Sequence, residues 1–120
     1  MILSDSELVE MLREPRTRRE GFAVLVKQYS EKLYWKVRRI VLSHEDANDV
    51  LQNVFIKVWS NLQNFQGKSS LSTWLYRIAI NESLDFLRKQ KLADKVSADE
   101  DVSVASRLMS DEYFDGDEVQ

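Results

Sequence analysis

The segment from Asn64 to Lys91, NFQGKSSLSTWLYRIAINESLDFLRKQK, concentrates side chains that can do chemistry. Phe65, Trp74, Tyr76 and Phe86 interleave there with Lys68, Arg77, Arg88, Lys89 and Lys91, and Ser69, Ser70, Ser72 and Thr73 crowd between them. Exposed aromatic rings stack on unpaired bases, cations neutralise phosphates, and an asparagine amide reads a base edge. On a helix, Trp74, Arg77, Asn81 and Arg88 fall close to one side, because their offsets of 3, 4 and 7 residues keep them near one face. Leu75, Ile78, Ala79 and Glu82 form a neighbouring strip that faces a bundle. The combination suits binding of a single nucleic-acid strand. Aromatics packed in a core beneath an ordinary wet surface would give the same interleaving. Leu75 and Ile78 already fill the inward stripe, however, which leaves Trp74 and Tyr76 unexplained by a core and tips the balance towards binding.

Two acidic pairs come next. Asp46 and Asp49 sit three residues apart, as do Glu82 and Asp85, so each pair shares a helix face that suits a divalent cation or acid–base work. Neither has histidine or cysteine support, so the first reads as a solvated helix N-terminus and the second as ordinary polar surface. The single histidine, His44, follows Ser43 and reads as an exposed first-turn residue. Asp46, Asp49, Gln52, Asn53, Lys57 and Ser60 make a polar face, acidic at its start and basic later, which pattern alone assigns to solvent.

Composition narrows the classes. With no cysteine there is no disulfide, no thiolate zinc site and no cysteine nucleophile. Three glycines cannot build a glycine-rich phosphate loop, and no run reaches the roughly 18 apolar residues of a membrane span. The start, MILSDSELVE, lacks the basic and apolar regions of a signal peptide. The expectation is an intracellular, cytoplasmic, soluble protein that is not an enzyme, holds no cofactor or metal and does not insert in a membrane. Its formal net charge of −3 averages unlike parts: residues 1–91 hold 15 basic and 11 acidic side chains, or +4, and residues 92–120 hold 2 and 9, or −7. A basic body with an acidic tail is implied.

The elements that position these residues are helices, with one proline among the 120 residues. Ser4 with Glu7 is a capping-box start, followed by Leu8, Met11 and Leu12, and Pro15 ends the segment. A second helix starts at Thr17 with Glu20 and carries Phe22, Leu25, Val26, Tyr29, Leu33, Val37, Ile40 and Val41 at helical spacing. Ser43 with Asp46 caps a third, in which Ala47, Val50, Leu51, Val54, Phe55, Val58, Trp59 and Leu62 step by three and four. Gln63 to Ser69 breaks the period and is a loop. The last helix starts near Ser70 and frays through Arg88, Lys89 and Lys91. The predicted fold is all-α, a compact bundle of three main helices plus a short N-terminal one over residues 1–91, with 92–120 an acidic, partly disordered linker or tail.

EDANDVLQNVFIKVW (45–59) and NFQGKSSLSTWLYRIAINESLDFLRK (64–89) resemble region 2 of bacterial sigma factors, in the extracytoplasmic-function (ECF) group of the sigma-70 superfamily. That family shows D-L-x-Q-E-x-F-x-x-x-W, then F-x-x-x-S-x-x-x-W-L-x-x-I-A-x-N-x-x-x-D-x-x-R, and the match covers about Phe22 to Lys91. The resemblance implies that the Asp46–Trp59 helix docks on core RNA polymerase through Asp46, Asp49, Gln52, Asn53 and Lys57, with Phe55 and Trp59 as its apolar framework. Asn53 stands where the family usually has glutamate, which weakens charge complementarity there. It further implies that Phe65, Lys68, Ser69 and Ser70 belong to a loop that captures a base flipped from the −10 promoter element. Trp74, Arg77, Asn81, Asp85 and Arg88 then lie on the helix that recognises and melts that element. Ile80 departs from the arginine often found before the asparagine, at the expense of a phosphate contact.

By the same resemblance the function is transcription initiation, with core RNA polymerase, single-stranded −10 promoter DNA and an anti-sigma factor as partners. A helical protein-interaction module without sequence-specific DNA readout is the alternative. A complete member carries a further helix-turn-helix domain for the −35 element, so the expectation is a fragment whose acidic end begins an interdomain linker.

Overall fold

Four helices and one 3₁₀ turn, with no strand, form among residues 2–65 and 67–94, which are those the computed structural model describes. The acidic tail expected over 92–120 falls outside the described residues except at 92–94, where the last helix simply continues.

Helix α1 (Asp5–Arg13) is closed at its start by a capping box. The Glu7 amide donates to Ser4 Oγ at 3.2 Å and the Ser4 amide donates to Glu7 Oε1 at 2.9 Å. The Ser4 amide, and after it the Ser4 hydroxyl, hold the Glu7 carboxyl below its ordinary titration range. The other end of α1 is closed by the next helix. Arg18 Nε donates to the Leu12 carbonyl at 2.8 Å, and Thr17 Oγ1 donates to the Met11 carbonyl at 2.9 Å, so orphaned carbonyls find donors. Thr17 therefore sits at the N-cap of α2 (Arg18–Val41) without making a side-chain cap bond, unlike the capping role its sequence position suggests.

Helix α2 is the spine: it packs on α1, on α3 (His44–Ser60) and on α4 (Leu71–Asp94). Leu25, Leu33 and Val37 of α2, Val54 and Val58 of α3, and Leu75 and Ala79 of α4 are fully buried. Tyr29 is buried with them, and its hydroxyl donates to Asp5 Oδ1 at 2.8 Å. Burial, then that bond, pushes the phenol well above its ordinary titration range, so Tyr29 stays neutral and ties α1 to α2. Leu42, with φ of 67°, turns the chain out of α2 in the left-handed region, and Ser43 Oγ then accepts the Asp46 amide at 3.3 Å to start α3 as expected.

Gly21 is buried where α2 meets α1, and a Cβ there would stand 2.8 Å from the Met11 Cβ. The Met11 atom is the root of its side chain and cannot swing away. Gly21→Ala is therefore expected to destabilise the domain by roughly 1 kcal/mol net. Overpacking costs about 1–3 kcal/mol and the gain in helix propensity returns about 1 kcal/mol. A urea titration showing a lower midpoint at unchanged slope would meet this expectation.

Candidate nucleic-acid interface

The loop between α3 and α4 is held by its own polar side chains. Asn61 Nδ2 donates to the Lys57 carbonyl at 2.8 Å, and Asn64 Nδ2 donates to Asn61 Oδ1 at 2.9 Å, which fixes the 3₁₀ turn Leu62–Asn64. Gly67, with φ of 73°, makes the left-handed turn that follows. Ser70 Oγ accepts the Thr73 amide at 3.2 Å and donates to Thr73 Oγ1 at 3.0 Å, so the Ser70 hydroxyl starts α4. Ser69 is half-buried and Lys68 is exposed beside it.

This start of α4 places Trp74 against the loop, with its ring 5.0 Å from that of Phe65 and tilted by 47°. Both rings are half-buried, so each keeps an open surface. Arg77, Asn81 and Arg88 project from the same side of α4 and are exposed, as their spacing predicts. Asp85 shares that side but pairs with Lys89 at 3.2 Å, an exposed contact of small energetic weight. Phe65 and Lys68 of the loop and Trp74, Arg77 and Asn81 of α4 thus put rings, cations and an amide at the surface.

Tyr76 is not part of it. Its ring is half-buried on another side of α4, with Lys36 Nζ 5.0 Å from the ring centre, and burial raises its titration range. Ile80 is 3% exposed and belongs to the core. The expectation of a lost phosphate contact is corrected: position 80 points inward here, away from the face that bears Arg77 and Asn81. The inward set of α4 is also broader than one strip. Leu71, Leu75, Ala79, Ile80, Ser83 and Leu84 are buried, whereas Ile78 and Glu82 are half-buried.

On α3, Asp49, Gln52 and Asn53 are exposed together, and Asp46 is half-buried in the first turn. Phe55 is half-buried with its ring edge on Phe22 at 6.4 Å, and Trp59 meets Phe22 at 5.0 Å. Trp59 remains 43% exposed, so it is framework on one side and surface on the other. Lys57 turns towards α4 and not towards Asp46 and Asp49. It pairs loosely with Glu82 at 3.9 Å and, with Asn61, Asn64, Trp74 and Asn81, lines an open groove of about 440 Å³ between α3 and α4.

Sequence reasoning missed Ile56, which is 64% exposed amid Gln52 and Asn53. Its signal was its position off the apolar stripe of α3. Asn61 was also passed over, and Asn64 was read only as part of the loop that breaks the helical period. His44 is exposed as expected, with Nδ1 2.6 Å from the Tyr34 hydroxyl and Nε2 3.2 Å from Asn48 Nδ2. Among the described residues no group of three acidic or histidine side chains is placed to hold a metal ion, and no helix is long and apolar enough to cross a membrane.

Comparison with known proteins matches residues 25–93 to the family described as Sigma-70 region 2. The chain is 37% identical over 113 residues to the RNA polymerase sigma-H factor of Pseudomonas aeruginosa, covering 94% of this chain and 54% of that protein. It is 33% identical over 104 residues to the ECF RNA polymerase sigma factor SigW of Bacillus subtilis, covering 83% and 56%. It is 41% identical over 88 residues to the ECF RNA polymerase sigma-E factor of Escherichia coli, covering 73% and 44%. The chain spans about half the length of the curated relatives it matches. The matched span runs from the middle of α2 through α3 and the loop to the end of α4, and so holds both surfaces just described: the chain belongs to the sigma-70 region 2 family, with relatives in its ECF group.

Proposed function

We propose that this domain binds core RNA polymerase and recognises and melts the −10 element of promoters during transcription initiation, acting as a binding protein and not as an enzyme. The observation that carries the reading is the Phe65–Trp74 pair, two half-buried rings in contact beside exposed Lys68, Arg77 and Asn81. Extruding a base costs a few kcal/mol of stacking, and ring contacts plus donors at the extrusion point offset that cost. Opening the duplex then requires binding alone. Phe65, Lys68, Ser69, Trp74, Arg77 and Asn81 contact the strand, Arg88 tracks its backbone, and Ser70 and Asp85 act chiefly within the fold through Thr73 and Lys89.

Polymerase docking falls to the exposed side of α3. Asp49, Gln52 and Asn53 surround Ile56, an apolar centre in a polar rim, and this is the usual composition of a protein-docking patch. Asp46 and Phe55 support the patch from within the helix, and Lys57 belongs by position to the DNA side. An anti-sigma factor, the further partner expected of this family, would silence the domain by covering either surface. Action on polymerase and promoter places the protein in the cytoplasm.

Asp49→Arg tests the docking surface. Asp49 is exposed, so the fold is expected to survive, while a reversed charge in the rim is expected to weaken capture by core RNA polymerase about tenfold. Undiminished capture in a pull-down at physiological salt would remove α3 from the docking surface.

A further inference from the structure

Lys27, Lys32, Trp35, Arg39 and Leu42 are all exposed along the outer side and end of α2. Between Lys27 and Arg39 this helix holds five cations against one acid, Glu31. Trp35 stands among them 55% exposed, with its ring edge-on to Tyr34 at 5.0 Å. Leu42, where the helix stops, is 68% exposed. Its φ of 67° lies in the left-handed region, where glycine or asparagine is the usual helix stop. A leucine there joins backbone strain to an open apolar side chain, and strain of this kind persists where a contact uses it. Arg38 and Arg39 lie between the two apolar residues, so the surface reads apolar, cationic, apolar.

Residues 95–120 lie outside the described residues, and their sequence mirrors this surface. They hold eight acids against two bases. Leu108 and Met109 precede Asp111 and Glu112, and Tyr113 and Phe114 follow, so the stretch reads apolar, anionic, apolar. Pairing the two removes apolar side chains from water on both sides and sets opposite charges against each other. Fourteen residues separate Asp94 from Leu108, and extended chain of that length reaches roughly 46 Å, against 48 Å for the longest dimension of the fold. Reach therefore permits the contact, and charge selects the face. The other surface with rings and cations, around Phe65, Trp74 and Arg77, is bordered by Glu7, Glu10 and Asp85, which repel an acidic segment.

We propose that residues 108–114 of this chain dock on Trp35, Arg38, Arg39 and Leu42, with Asp111 and Glu112 against the two guanidinium groups. The acidic end of the chain thereby folds back on the outer side of α2. The contact uses none of the residues assigned to polymerase or DNA, so it stands or falls apart from promoter reading.

The chain has no cysteine, so Ser110→Cys takes a single nitroxide label in the middle of that segment. In proton–nitrogen correlation spectra of the full chain at low salt, the Trp35 indole and Leu42 amide signals are expected to vanish until the nitroxide is reduced. The Trp59 and Trp74 indole signals are expected to persist. At 1 M salt the screening length falls to about 3 Å, and the lost signals are expected to return. Arg38→Gln with Arg39→Gln, and separately Asp111→Asn with Glu112→Gln, are expected to restore them as well. Helical circular dichroism checks the first pair, and the second lies outside the described helices. Trp35 and Leu42 signals that stay at full strength overturn the proposal. So does loss at Trp74 instead, which puts the segment on α4. Loss in a mixture of isotope-labelled chain without nitroxide and unlabelled chain with it also overturns it, because the segment then comes from a second copy.

Discussion

Leu75→Ala is expected to lower the unfolding free energy by about 2–5 kcal/mol, the range for removing a leucine from a packed core. Leu75 is 0% exposed and lies on α4, which packs against α2 and α3. A single domain has roughly 5–15 kcal/mol in hand, so this one change takes a large share of it. The loss is not confined to stability. Trp74 precedes Leu75 in the chain, and Arg77 and Asn81 follow on the same helix, so a cavity beneath α4 loosens the face that carries them. Leu92 is the internal control. It lies on the same helix but is 76% exposed, and its replacement by alanine should change stability by no more than about 0.5 kcal/mol. Thermal and urea unfolding of the two variants side by side checks both figures. Equal shifts would mean that α4 does not bury its Leu75 side in the core.

The second large effect concerns binding. Trp74→Ala removes one of the two rings on which a base can stack, and stacking contributes about 1–3 kcal/mol per base. Affinity for a single-stranded −10 element should therefore fall roughly five- to 150-fold. No cation is lost, so the dependence of affinity on salt concentration should keep its slope. Trp74→Phe keeps a ring beside Phe65 and should recover most of the affinity, which separates stacking from any general damage to α4. The same measurement on Arg77→Ala would show the reverse pattern, a shallower salt slope with base preference retained. A Trp74→Ala variant that binds like wild type would leave the Phe65–Trp74 pair as a packing feature alone.

Much of this architecture is legible in the residues, because local rules and tertiary packing agree. Ser4 with Glu7 and Ser43 with Asp46 mark helix starts that the hydrogen bonds confirm. The α3 stripe is equally plain, since α3 buries one side only and Ala47, Val50, Val54 and Val58 recur there. Helix α4 is harder to read. It is flanked by α1, α2 and α3, so its buried arc is wider than one stripe, and Ile80 and Ser83 are drawn inward. For the same reason Tyr76, which looked free to bind, packs towards α2 at Lys36. Thr17 shows a different limit: its hydroxyl serves the end of α1, a partner that no helix-start pattern contains.

The site was legible where it follows helix periodicity and not where it depends on the meeting of distant segments. Trp74, Arg77 and Asn81 share a face by spacing alone. Lys57 looked like part of the α3 polar face, but the end of α3 lies beside α4, which brings it to Glu82 and the Trp74 groove. Ile56 lies off the apolar stripe of α3, and only that position signalled that it is exposed. An open cleft between α1 and the loop joins residues more than fifty positions apart in sequence, and only the fold brings them together.

Selection of single strands by the loaded polymerase tests sequence-specific readout most directly. Core RNA polymerase carrying this chain is mixed with a pool of short single strands randomised in sequence, and the retained strands are sequenced. The predicted result is enrichment of one short motif that polymerase alone does not enrich and that Trp74→Ala abolishes. Uniform retention of all sequences, with or without the chain, would contradict it.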